Sequence, residues 1–265
     1  MRDRIRQNRA LFERAVLAFI LPGVAGAINA SGFFAVGLYT SHMTGHVGRI
    51  GDELASGHFW LATRAMIWVA SFLCGAMIAT FLVLYGKRHD RRPWWRPLLL
   101  ECVLLFVFAT VSVGAEHRAH VNSLQMTALL CFAMGLQNAL VTKLSGARIR
   151  TTHMTGVTTD VGIEIARALD LWHQRTHGLG LADRLGELPS LRRSPELKAL
   201  RMHIAVLGSF LVGATVGPAC YLLVGHIAML VPCAMLAALA AFDGVVGLTG
   251  KTVGQPADAQ LQTPA

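Results

Sequence analysis

The sequence is poor in charge. Asp, Glu, Lys and Arg make up only 15% of its 265 residues, against 54% that are hydrophobic, and the mean hydropathy is +0.50. A soluble domain of this length needs more charge to cover its surface. It also lacks a CxxC pair: Cys74, Cys102, Cys131, Cys220 and Cys233 all sit inside apolar stretches and read as small packing residues. HExxH, a Gly-rich phosphate loop and a nucleophile elbow are absent as well. No nucleophile-and-base or metal constellation is visible, so the chain is not read as an enzyme and no cofactor or metal is expected.

What is there is apolar length. A helix crossing about 30 Å of hydrocarbon needs about 20 mostly apolar residues. Six such blocks occur, near 15–39, 62–85, 97–115, 122–143, 202–224 and 227–249. The first has a basic start and small residues near Ala25 to Ala30, as a signal peptide would, but its apolar run is longer than a signal core. It is therefore kept in the mature protein.

The net charge of +9 would suggest nucleic acid in a soluble protein, but its placement says otherwise. Of the 24 Lys and Arg, 21 lie before the first block, between blocks two and three, between blocks four and five, or after block six. The alternate connections hold only Arg49, Arg64 and Arg118. This asymmetry follows the positive-inside rule and puts both termini in the cytoplasm, as an even number of spans requires. Nucleic acid is not expected as a partner. The lipid bilayer is.

The chain repeats itself. Thr40-Ser41-His42-Met43-Thr44-Gly45 answers Thr151-Thr152-His153-Met154-Thr155-Gly156, and the match runs on through Gly51/Gly162, Glu53/Glu164 and Ala55/Ala166. Upstream, Gly26-Ala27-Ile28-Asn29 answers Gly135-Leu136-Gln137-Asn138; downstream, Ser71-Phe72-Leu73-Cys74-Gly75-Ala76 answers Ser209-Phe210-Leu211-Val212-Gly213-Ala214. About 27 extra residues separate the last two matches in the second copy. Each copy reads as helix, motif, helix, helix. Three is odd, so the second copy enters the membrane from the opposite side, the inverted-repeat plan of many secondary transporters. The expected organisation is a basic cytoplasmic N-terminus over 1–14, a first repeat over 15–120, and a second over 121–249. An amphipathic insertion at about 170–200 lies on the headgroups, and the tail over 250–265 is disordered.

GAIN with MTG in the first half, and MGLQNA with TTHMTG in the second, resemble the YoaK-like family of bacterial inner-membrane proteins of unknown function. The likeness covers nearly all of 15–249, and the paired MTG strings are its most specific part. It implies a six-helix protein of the bacterial inner membrane and no established substrate. Two positions depart from the family: an acidic residue is common where Asn29 stands, and an Asn is common where His46 follows the first MTG.

The MTG strings are the first candidates for a binding role. Thr44 and Thr155 suit N-caps of short helices over 46–57 and 157–172, and Gly45 and Gly156 let the backbone turn and approach a ligand. A helix N-terminus at membrane depth suits an anion or carboxylate; a capping turn needed only for folding is the plainer reading. Unbroken first and fourth blocks would put the two turns at opposite faces. Breaks near Pro22-Gly23 or Gly135 would bring them toward the midplane. Asn29, Gln125, Gln137 and Asn138 place amides in apolar helices, where they face the bundle interior or water, as interhelical glue or as solute ligands.

Among the acids, Asp243 sits well inside block six, where a charge costs about 2.5–3.5 kcal/mol, and is the leading candidate for proton or cation coupling. Glu101, about one turn inside block three, reads as reaching the headgroups. Glu53 and Glu164 form a symmetric pair of coupling or gating candidates, with His42 and His153 beside them. His42 with His46, and His173 with His177, have four-residue spacing but no further ligands, and read as histidines near a membrane surface.

The sequence therefore describes an all-α integral membrane protein of about six transmembrane helices in two inverted-topology three-helix repeats. The leading function is a small secondary transporter or permease for an unknown small solute, with candidate ligands Asn29, Thr44, Gly45, Gln137, Asn138, Thr155 and Gly156. The alternative is a non-transport scaffold binding a lipid or partner through its basic cytoplasmic face. A second copy of the chain is a further candidate partner.

Overall fold

The computed structural model describes residues 16–89, 94–116, 123–144, 153–178, 180, 186 and 194–245. The basic N-terminus, the tail, Thr151 and Thr152, and the middle of the 170–200 insertion (179, 181–185 and 187–193) lie outside them. The described residues form no strand. After a π-helical turn over Val16–Ile20 come α1 (Leu21–Val36), α2 (Met43–Ala55), α3 (Phe59–His89) and α4 (Trp95–Glu116). The second half holds α5 (Ser123–Leu144), α6 (Met154–Thr176), α7 (Pro195–Val224) and α8 (Leu230–Val245), with a 3-10 turn over Gly225–Met229 between the last two.

The six apolar blocks thus become α1, α3, α4, α5, α7 and α8. Five stretches are long and apolar enough to cross a membrane, and the fifth, Leu197–Asp243, holds both α7 and α8. Ser194 opens α7 by accepting the Leu197 N–H at 3.3 Å, with Pro195 in the first helical turn. At its other end Gly225, at φ +62°, takes a backbone conformation that L side chains rarely adopt and breaks the helix before α8.

The outer surface is that of a membrane protein. Leu223 is 83% exposed, Leu222 70% and Phe81 64%, with Leu73, Leu211 and Val212 also turned outward. Side chains of this kind along whole helices would be costly in water and are at home in hydrocarbon. The core lies between α1, α4, α5 and α8, where Leu21, Ile28, Leu98, Phe108, Met134, Leu140 and Leu236 are closed to solvent.

Packing exchanges the halves. Helix α1 lies along α7 and α5 lies along α3, while the third helices α4 and α8 lie against each other. Ser209 donates to the Phe19 carbonyl and Tyr221 meets Phe34, so α1 and α7 run parallel. Helices α4 and α8 run antiparallel: Trp94 meets Asp243, Cys102 meets Cys233, and Phe108 meets His226.

The closest approaches recur in matched pairs. A Cβ on Gly26 would overlap the Phe210 carbonyl, and one on Gly135 would overlap the Phe72 carbonyl. Likewise Gly213 abuts the Gly23 carbonyl, as Gly75 abuts that of Phe132. Each residue in one contact is the repeat partner of a residue in the other. Small residues at such crossings let two backbones touch, the usual means of helix association in lipid.

Candidate functional site

Asn29 organises the first half of the site. It is 8% exposed, and its Oδ1 accepts both the Ser41 backbone N–H and the Ser41 hydroxyl, each at 2.9 Å. Asn29 lies seven residues before the end of α1, which is about 10 Å of helix. The chain after Val36 therefore turns at Gly37, at φ +80°, and doubles back to the depth of Asn29 before α2 begins.

The MTG strings open helices, but not by the cap that Thr44 and Thr155 predict. His42 and His153 hold the N-cap positions, with closely similar backbone angles (φ −84° and −86°), and neither makes a side-chain cap bond. The helices begin at Met43 and Met154, so Thr44 and Thr155 are already helical. Gly45 and Gly156 have a more particular role than a flexible turn: a Cβ on Gly45 would strike the His42 ring, and one on Gly156 the His153 ring. The HMTG spacing, His with Gly three residues on, lets an imidazole lie back over the first turn of its own helix.

The two turns share one cavity of about 640 Å³. From the first half come Asn29, Ala30, Tyr39, Ser41 and His42-Met43-Thr44, with Phe72 from α3. The second half gives Asn138, His153-Met154-Thr155, and Phe210 with Ala214 from α7. Most lining residues thus have their repeat partner in the same lining. Neither α1 nor α5 breaks at Pro22-Gly23 or Gly135, yet the turns are not at opposite faces. In the first half, the chain's return from the end of α1 is the reason.

Asn138 Oδ1 is buried without a hydrogen-bond partner among the described residues; the repeat partner of Ser41 is Thr152, which lies outside them. Among the described lining residues there is no Asp, Glu, Lys or Arg.

The remaining candidates stand elsewhere. Gln137 is closed to solvent, donating to the Leu21 carbonyl at 3.3 Å, and binds α5 to α1. Asp243 is fully buried, but its Oδ2 accepts the Trp94 N–H at 3.0 Å, at the start of α4 and outside the cavity lining. Glu53 pairs with Arg49 at 3.3 Å and His58 at 3.1 Å on the exposed side of α2. Glu164 is 8% exposed, with His203 Nδ1 3.0 Å away, tying α6 to α7. The two glutamates are matched in sequence and not in surroundings. Glu101 does not reach outward as expected: it is closed to solvent, with neither carboxyl oxygen partnered among the described residues.

His46 is held against Tyr39 and Trp68. Its Nε2 lies 3.1 Å from the Tyr39 carbonyl and its ring 5.4 Å from that of Trp68, so His42 and His46 do not form one ligand face. Burial pushes the His46 imidazole below its ordinary pKa, helped by the charges of His42 and Arg49 and opposed by the Tyr39 bond.

Tyr39, Ser41, Phe72 and Phe210 are lining residues that the motif reading passed over. The matched Ser-Phe-Leu strings pointed at the two phenylalanines; the repeat partner of Tyr39 is Arg150, which lies outside the described residues.

Comparison with known proteins agrees with this architecture. The family described as "Protein of unknown function (DUF1275)" matches residues 17–242. The UPF0700 transmembrane protein YoaK of Bacillus subtilis is 30% identical over 149 residues, 54% of this chain and 63% of that protein, so less than two thirds of the relative is spanned. No solved structure matches.

Proposed function

The chain belongs to the DUF1275 family, and we propose that it is a small secondary transporter or permease of the bacterial inner membrane. On this reading its two three-helix repeats are inserted in opposite orientations, with both termini cytoplasmic. A solute passes through the cavity between them. The protein moves a solute and does no covalent chemistry.

One observation carries the reading: two MTG turns more than a hundred residues apart in sequence, each preceded by its histidine, line a single cavity. A capping turn needed only for folding has no reason to meet its own repeat partner. The exchanged packing supports it further, because α1 along α7, α5 along α3, and antiparallel α4 and α8 are the contacts that two oppositely inserted copies make. Two like units around one site can trade conformations, which opens the site to each side in turn.

The test uses the full chain in proteoliposomes given a mixed extract of small metabolites, with the lumen read by mass spectrometry. At least one solute accumulates above protein-free vesicles, and Thr155→Trp, which fills the cavity, abolishes that accumulation. Lumen contents equal to those of protein-free vesicles overturn the reading.

A further inference from the structure

We propose that the cavity takes a small organic carboxylate, held by hydrogen-bond donors of its wall. This deepens the transport reading and rests on the same cavity.

The donors converge from independent sources. The Asn29 Oδ1 is committed to Ser41 by two bonds, which fixes the amide and leaves its Nδ2 as the group to meet the cavity. Asn29 is itself 8% exposed, so this is a built, buried donor and not a surface amide. Helices α2 and α6, of 13 and 23 residues, both begin at the cavity wall. The first-turn N–H groups of a helix lack intrahelical acceptors, and neither His42 nor His153 supplies one from its side chain. The hydroxyls of Thr44, Thr155 and Tyr39 add further donors.

The lining also says what does not fit. With no Asp or Glu among the described lining residues, a cation meets no countercharge there. The described lining residues include no Lys or Arg either, so what they offer an anion is amides and helix ends, which bind without the strength of a full ion pair. That suits a solute that must leave again. Met43, Met154, Phe72 and Phe210 give the wall apolar faces as well, so the anion carries a carbon body for them to contact. Bare inorganic phosphate would leave those four faces uncovered.

The experiment measures equilibrium binding by calorimetry to the full chain in nanodiscs, with sodium benzoate, inorganic phosphate, tetraethylammonium and glycerol as probes. Flux of the same probes is followed in proteoliposomes. Benzoate is expected to bind best, and Asn29→Asp, which keeps the acceptor for Ser41 but replaces donors by negative charge, to weaken it at least tenfold. Should Asn29→Asp fail to give monodisperse protein, Asn138→Asp takes its place with the same expected loss. Benzoate binding without flux keeps the carboxylate assignment and removes the transport reading. Preferred binding of tetraethylammonium, glycerol or phosphate overturns the carboxylate and leaves transport standing. Binding of no probe, or an Asp variant that holds benzoate as well as the parent, overturns the proposal.

Discussion

The imidazole of His153 lies where a Cβ on Gly156 would stand, and His42 holds the same relation to Gly45. The ring and the missing side chain form one device, used twice. Its consequence is a separation of stability from function. An alanine at either glycine pushes aside only a side chain, and within a helix alanine is favoured over glycine by about 1 kcal/mol.

Gly156→Ala is therefore expected to keep or raise the unfolding temperature while solute uptake falls at least tenfold, because the displaced ring enters the cavity. Differential scanning fluorimetry and proteoliposome uptake, run on the same preparation, check the two halves of the statement. A lowered melting point with normal uptake contradicts both.

Gly135 faces backbone, which cannot step aside. A Cβ there meets the Phe72 carbonyl, so Gly135→Ala is expected to cost about 3 kcal/mol by overpacking. Gly48→Ala on α2 is the control, since nothing lies within 4 Å of its Cβ position; it should gain up to about 1 kcal/mol from helix propensity. Thermal melts of the two variants in one detergent decide it.

Asp243 is a helix-end carboxylate to the α4 terminus through Trp94. Asp243→Asn keeps an oxygen that can accept the Trp94 N–H but weakens that bond, and should lower stability by about 1 kcal/mol. Solute affinity should stay within twofold of the parent. An unchanged melting point with abolished uptake would restore Asp243 as a coupling acid.

His46 gives a pH dependence of known sign. Its folded-state pKa is lowered, so below its ordinary value near 6.5 the unfolded chain takes up a proton that the folded chain resists. Stability is thus full above about pH 6.5 and declines as pH falls from there through the folded-state value. The parent should lose more of its melting temperature between pH 7.5 and pH 5 than His46→Gln does.

Much of this was legible in advance, for reasons that can be named. Apolar length is a local property, so the six blocks emerged as α1, α3, α4, α5, α7 and α8 with only their ends displaced. The likeness of the MTG strings was legible because identity survives in order even where structure is unseen. The meeting of the turns was not. It depends on Ser41 reaching back to Asn29, a polar contact across twelve residues that leaves no periodic trace.

The surroundings of Asp243 were hidden for a related reason. Hydropathy set it deep in block six, while its partner Trp94 lies 149 residues away in sequence. Thr44 and Thr155 are good capping residues by type. The position instead goes to histidine, because a glycine three places on makes room for the ring.

The exchange of helices has a bearing on how such a chain could arise and be made. Neither three-helix unit keeps its own first helix: α1 belongs to α7, and α3 waits for α5. During synthesis the carbonyl of Phe72 has no glycine to meet until Gly135 has entered the membrane, so the leading half is committed to wait for the trailing one. On the proposed inverted-repeat plan, a single three-helix unit would close the same contacts only by pairing with an upside-down twin, a homodimer of mixed orientation.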